Sequence, residues 1–184
     1  MNKSNRITIA LLVVVFVLPV ILAKFALEND WFNRGSTNRG ELLAPPLNLS
    51  AVMTGAQPSW RILYVMPDKC DVKCSNALYS LEQVWVALGR QAERAQATVL
   101  LTKSSDVAYL STLSEQNHLH LLTVDQQNVN LVFKDVAADG IFLVDTLNNA
   151  MLRYPLQEQQ EQAVMDSRDM LADLKKLLKL SRIG

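Results

Sequence analysis

The chain has 184 residues, with 18 lysines and arginines against 18 aspartates and glutamates, so its formal net charge is zero. This balance, with basic residues scattered along the chain, excludes nucleic-acid binding through a strong overall positive charge. The length suits one domain of ordinary size with a short additional segment.

The first distinctive segment is residues 7–23, which is almost entirely apolar and long enough to cross a bilayer as one helix. Lys3 and Arg6 precede this run, and a positive flank stays in the cytoplasm. We therefore predict that residues 1–27 form an uncleaved, single-pass anchor. In a Gram-negative bacterium this places the N-terminus inside, the anchor in the inner (cytoplasmic) membrane and the remaining chain in the periplasm. The alternatives are cleavage after Ala23 as a signal peptide and a buried core helix.

Residues 28–46 are rich in polar residues, glycine and proline, and are interpreted as a linker. This leaves residues 47–184 as the folded domain, in which residues 60–66 form the first clear strand. The only two cysteines of the chain, Cys70 and Cys74, follow in the turn after this strand. Apolar residues at helical spacing predict a helix directly after them: Leu78, Leu81, Val84, Trp85 and Leu88.

The remaining segments alternate between strands and helices. The predicted strands are residues 98–102, 119–122, 141–144 and 151–154, and the predicted helices are residues 107–113 and 157–180. Such an order, closed by a hairpin and a helix, indicates an α/β domain with a mixed sheet and flanking helices. It is the order of a thioredoxin-like domain, with the cysteines at the carboxyl end of the first core strand, where sites gather in open α/β sheets.

The cysteine pair can act in three ways. As a structural disulfide it closes a very short loop, which stabilises a fold least, by roughly 2 kcal/mol. As a redox pair it places the more exposed thiol, Cys70, near a helix N-terminus that favours the thiolate. Lys69 and Lys73 act in the same direction, and Asp68 and Asp71 in the opposite one. As a metal site it offers two soft thiolates, which select Cu(I) over hard cations.

A stable metal site usually has a third ligand. His118 and His120 would project to one face of a strand, so a paired imidazole site is geometrically possible. Such histidines are more often ordinary surface residues, and their place ahead of a strand separates them from the carboxyl-end rim. Zinc takes four ligands, and the sequence supplies no clear set.

Residues 60–102 resemble the Sco/SenC family, membrane-anchored thioredoxin-fold proteins that help to assemble the copper centre of cytochrome c oxidase. The resemblance lies in the apolar strand, the Cys-x-x-x-Cys turn that encloses Asp71 and Val72, and the segment at residues 88–101. Residues 141–154 resemble the strand-turn-strand of the same family. The resemblance implies that Cys70 and Cys74 are the working pair of the domain.

The chain departs from this family at one position. Family members have a histidine just before the strand that corresponds to residues 141–144, and it completes the copper site with the two thiolates. This chain has Asp139 there, a hard oxygen donor and a weak candidate for a third Cu(I) ligand. No proline precedes the strand, whereas typical thioredoxin-like oxidoreductases have a cis-proline.

These features lead to the hypothesis of a cytochrome oxidase assembly factor that performs thiol–disulfide exchange or transient handling of Cu(I). Its partners would be an oxidase subunit or other assembly factors. Cys70 would be the attacking thiol or primary ligand and Cys74 the resolving thiol or second ligand, which makes the chain at most a thiol–disulfide oxidoreductase. The alternatives are a non-catalytic, membrane-anchored scaffold and a generic periplasmic disulfide reductase.

Overall fold

The computed structural model describes residues 3–28, 38–111 and 118–181 and divides the chain into two units, residues 1–37 and 38–184. The first unit contains helix α1 (Lys3–Glu28), with Pro19 inside it. Among the described residues, no helix combines the length and the apolar character needed to span a bilayer. The predicted transmembrane helix is therefore not confirmed. Residues 29–37, in the predicted linker, lie outside the described residues.

The second unit is a six-stranded mixed sheet with helices, which confirms the predicted α/β architecture. Its strands are β1 (Glu41–Asn48), β2 (Trp60–Val65), β3 (Ala95–Leu101), β4 (Leu119–Thr123), β5 (Gly140–Val144) and β6 (Asn149–Pro155). Its helices are α2 (Val72–Ala87), a 3-10 helix (Gly89–Arg94), α3 (Val107–Leu110), α4 (Gln126–Val132) and α5 (Gln160–Leu180).

The strand order across the sheet is β1-β6-β5-β2-β3-β4. Strands β2, β3 and β4 run parallel, whereas β5 pairs with β2 and β6 in antiparallel fashion, as β1 does with β6. Strand β2 therefore lies inside the sheet, with hydrogen-bonded neighbours on both sides. Its carboxyl end is a rigid support for the turn that carries the cysteines.

Alternation along β2 creates two cores, because successive side chains of a strand point to opposite faces. Trp60, Ile62 and Tyr64 belong to the core that α2 and α5 cover. Leu63 belongs to the second core, which α4 and the segment at residues 49–53 cover. The sheet is thus shielded on both faces, as the sequence predicts.

Two elements differ from the sequence-based expectation. Residues 41–46, assigned to the linker, form most of β1, and the β1–β6 register is irregular between Leu42 and Leu47. Pro45 and Pro46 lie in this stretch and cannot donate backbone hydrogen bonds, which is tolerated at a sheet edge. Helix α4 was not predicted, because its short sequence shows no long apolar repeat. Residues 112 and 113, the end of a predicted helix, lie outside the described residues.

A buried carboxylate attaches the start of the second unit to α5. Asp173, only 2% exposed, accepts hydrogen bonds from Arg39 N at 2.7 Å, Gly40 N at 3.0 Å and the Tyr154 hydroxyl at 2.7 Å. Burial and the bond to Asp173 raise the pKa of Tyr154 far above its usual value. These three bonds hold the segment that leads into β1.

Candidate functional site

The cysteines lie where the sequence predicts them, directly after the central strand β2. Cys70 and Cys74 are joined by a disulfide bond with a Cα–Cα distance of 5.2 Å. Cys70 belongs to the loop before α2, and Cys74 to the first turn of that helix. Cys70 is half-buried, whereas Cys74 is 1% exposed. An incoming group therefore reaches Cys70 first.

Asp71 begins helix α2 between the two cysteines. Its side chain accepts a hydrogen bond from Cys74 N at 3.0 Å, and its carbonyl oxygen accepts one from Ser75 N at 2.9 Å. This is the usual arrangement of an N-cap residue. The positive end of the helix dipole at this first turn favours a thiolate, whereas the negative charge of the Asp71 carboxylate disfavours one.

A second loop supports Cys70 from the other side. Asp106 accepts hydrogen bonds from Cys70 N at 3.0 Å and from Tyr109 N at 3.2 Å, and its own N–H donates to Pro67 O at 2.9 Å. The Tyr109 hydroxyl donates to Ser75 Oγ at 2.8 Å. Asp106 is not among the site residues predicted from the sequence. Its position just before a helical segment is typical of an N-cap, but only the fold brings it to Cys70.

The end of β2 is also held in place. Met66 N donates to Leu100 O at 2.9 Å, and Met66 O accepts from Ser105 Oγ at 2.8 Å. The side chain of Met66 is 2% exposed, and its sulfur lies 3.8 Å from Cys74 Sγ. Three sulfur atoms thus lie together at the carboxyl end of β2.

A cleft of about 860 Å³ opens beside the cysteine turn. Residues of the turn form one wall, among them Lys69, Asp71 and Lys73, and residues of α4 form another. Tyr64 also lines the cleft; burial and, to a smaller extent, the charge of Asp71 raise its pKa well above the usual value. Tyr64 is therefore a neutral hydroxyl at physiological pH.

Asp139 lines this cleft, but its carboxylate is engaged elsewhere. Arg153 Nη2 donates to Asp139 Oδ1 at 2.6 Å, and Arg153 Nη1 donates to Glu41 Oε2 at 3.1 Å. Burial by itself lowers the pKa of Arg153, but its hydrogen bonds to Asp139 and Glu41 outweigh this effect and raise the pKa. The contacts of Asp139 are those of an ion pair at the start of β5.

The two histidines lie at the β4 edge. His118 Nδ1 lies 2.6 Å from Glu82 Oε1, and the ring stacks on Trp85 with 4.3 Å between ring centroids. His120 is an exposed residue of β4. Within the described residues, no group of three or more His, Cys, Asp or Glu side chains is arranged to hold a metal ion. The structure does not join Cys70 and Cys74 with Asp139 or a histidine in such a group.

The donor set fits Cu(I) only in its reduced form. The disulfide sulfurs are bonded to each other, and a metal ligand must be a deprotonated thiol. Two thiolates with a neighbouring thioether are soft donors, which suit Cu(I) better than hard cations. The site can therefore carry out thiol–disulfide chemistry, and copper chemistry depends on prior reduction.

Comparisons with known proteins agree with this fold. The family model for "Transmembrane-like, thioredoxin-like, C-terminal domain" matches residues 60–181. Yeast Sco1 superposes with a TM-score of 0.52 at 14% identity, covering 70% of this chain and 84% of its own. Copper-bound yeast Sco1 gives 0.50 at 15% identity, with 68% and 81% covered.

A SCO1/SenC family lipoprotein from Bacillus anthracis gives a TM-score of 0.51 at 14% identity, with 68% of this chain and 84% of its own covered. At these identities the similarity shows a shared thioredoxin-like fold. A comparison with curated protein sequences finds no match.

Proposed function

The chain belongs to the family of transmembrane-like, thioredoxin-like C-terminal domains, and on this premise we propose that it is a cytochrome oxidase assembly factor with a redox-active cysteine pair. The observation that carries the proposal is the disulfide between half-buried Cys70 and buried Cys74 at the N-terminus of α2. A purely structural disulfide would stabilise more if it joined distant segments, because the stabilisation grows with loop length.

The asymmetric burial gives each cysteine a role in the exchange. In the reduced pair, the Cys70 thiolate attacks a disulfide of the partner, forms a mixed disulfide and releases one partner thiolate. Cys74 then loses its proton, attacks Cys70 and releases the second partner thiolate. The partner disulfide is reduced and the Cys70–Cys74 disulfide is formed, until an external dithiol reduces it again.

The same two thiols, when reduced, are proposed to handle Cu(I) transiently. Support comes from the softness of thiolate ligands and from the fold shared with copper-bound yeast Sco1. The partner in either step would be an oxidase subunit or another assembly factor.

We also propose that residues 1–27 anchor the chain in the inner membrane and that the sheet domain, whose first strand begins at Glu41, lies in the periplasm. The apolar run at residues 7–23 with its preceding positive charges supports this arrangement. The full chain should remain in the membrane fraction after alkaline carbonate extraction. Its release into the supernatant would contradict the anchor.

The test of function is the double variant Cys70→Ser, Cys74→Ser, produced as the full chain in a host that lacks the wild-type copy. We expect oxidase activity and copper content of the oxidase to fall, since no thiol remains for exchange. Ser50→Ala, a change at an exposed position outside the cleft, is the control and should behave as wild type.

Three outcomes separate the candidate functions. Loss of assembly only in the double variant supports the proposal. Normal assembly in the double variant refutes it and favours a scaffold. Reduction of an unrelated disulfide protein, such as insulin, as fast as of an oxidase subunit would refute the assembly role and favour a generic reductase.

A further inference from the structure

We propose that Met66 supplies the third ligand of a Cu(I) site with reduced Cys70 and Cys74. The inference rests on the proposed function in one respect, namely that the cysteine pair is reducible in the folded protein. It extends that function by assigning a ligand in place of the imidazole that the sequence lacks near β5.

The position of Met66 is the first argument. Its sulfur lies 3.8 Å from Cys74 Sγ. Metal–thiolate bonds of a first-row ion such as zinc are about 2.3 Å long, so two sulfurs bound to one ion lie at most about 4.6 Å apart. The observed separation falls within this limit. The distance therefore permits the thioether and the Cys74 thiolate to bind one ion.

The rigidity of this position is the second argument. Both backbone groups of Met66 are hydrogen-bonded, to Leu100 on the neighbouring strand and to Ser105 in the supporting loop. Cys74 is held by the N-cap bond to Asp71. The backbone is thus held in place at the residues that carry two of the three sulfurs, whereas Cys70 lies in the loop before α2.

Two of the other candidate third ligands have partners of their own. The Asp139 carboxylate is engaged by Arg153, and His118 by Glu82. A neutral thioether beside two thiolates makes an all-sulfur set, which favours Cu(I) over Mg²⁺ or Ca²⁺. Burial of Met66 and Cys74 also keeps water from two of the three ligands.

Binding of Cu(I) takes two steps, reduction of the disulfide and exchange of the thiol protons for the metal ion. A dithiol donor transfers two electrons and two protons to the Cys70–Cys74 disulfide and is itself oxidised to a disulfide. Cu(I) then binds both sulfurs and Met66 Sδ, and two thiol protons are released to solvent. The product carries one net negative charge; in the turn itself Lys69 and Lys73 are matched by Asp68 and Asp71, so the turn adds no net charge.

Met66 also packs in the core that α2 covers, so a purely structural role must be separated from ligation. The variant Met66→Leu keeps the volume and apolar character of the side chain but removes the sulfur. Met170→Leu is the matched control, because Met170 is 1% exposed and belongs to the same core. Volume-conserving exchanges of this kind cost little stability.

The experiment measures Cu(I) affinity of the reduced full chain by competition with bicinchoninate, a chromophoric Cu(I) chelator. We expect the wild-type chain to bind one Cu(I) and Met170→Leu to bind it with the same affinity. In Met66→Leu the affinity should fall by about 10- to 100-fold or more, because changes of residues that only contact a ligand already cost this much. X-ray absorption of the wild-type complex should show three sulfur neighbours, a readout that does not require the variant to fold.

Equal affinities of Met66→Leu and wild type, or only two sulfur neighbours in the wild-type complex, would overturn the assignment. These results would leave the thiol–disulfide function standing, since that function is tested by the double cysteine variant. Absence of Cu(I) binding to the reduced wild-type chain would also overturn the assignment of Met66 as a ligand. Loss of oxidase assembly in the double variant would in that case still support thiol exchange.

Discussion

Asp106 provides a direct test of how the fold supports the cysteine turn. Replacing it by alanine removes the N-cap of α3, worth about 1 kcal/mol. It also removes a carboxylate acceptor from Cys70 N, and hydrogen bonds to charged groups contribute about 1.5–3 kcal/mol each. Because Asp106 is half-buried, water replaces part of this interaction. We therefore expect the free energy of unfolding to fall by about 2–3 kcal/mol.

The matched control is Asp125→Ala. Asp125 caps α4 through Gln127 N at 3.2 Å and is exposed, so its removal should cost about 1 kcal/mol. Urea unfolding of the oxidised full chain, followed by tryptophan fluorescence, measures both variants. The reduced Asp106→Ala chain should also be alkylated faster at Cys70, since a neighbouring negative charge disfavours the thiolate. Equal destabilisation of the two variants, with unchanged alkylation, would refute a specific bond between Asp106 and the cysteine turn.

Two further predictions concern the disulfide and a buried tyrosine. Reduction of the Cys70–Cys74 disulfide should lower the free energy of unfolding by only about 2 kcal/mol, because the disulfide closes a very short loop. Urea unfolding with and without a dithiol measures this loss, and a loss above about 4 kcal/mol would indicate a mainly structural disulfide. Because the pKa of Tyr154 is raised in the folded state, its contribution to stability is present at neutral pH and is lost as pH rises above about 10, the usual tyrosine value. Tyr154→Phe should reduce this alkaline loss in urea unfolding at pH 8 to 11, and an unchanged pH slope would contradict the assignment to Tyr154.

Much of the domain follows from local sequence patterns. The continuous apolar run at β2 and the apolar stripe of α2 predict a strand, a turn and a helix, and the structure contains all three. The β5–β6 hairpin is similarly local, with Asn148 in the left-handed region at its turn. Such elements can be predicted because their signals lie within a few residues of each other.

Strand β1 and helix α4 are different. Strand β1 contains two prolines and exposed residues, and its strand character comes from pairing with β6, more than a hundred residues away in the sequence. Helix α4 is short, and its apolar residues Val129 and Val132 are buried because they pack in the second core. Pairing and burial at long range decide these elements.

The candidate site also combines features that local sequence patterns predict with features that depend on long-range contacts. The placement of both cysteines in the turn after β2 can be predicted from local patterns, because a strand followed by a helix is specified by neighbouring residues. Only the tertiary structure brought Asp106 to Cys70 and the sulfur of Met66 to Cys74. The ion pair between Asp139 and Arg153 likewise becomes visible only in the structure. The physical reason is that hydrogen bonds and ligand contacts depend on distances in space, and the folding of β2, α2 and the Asp106 loop against one another sets those distances.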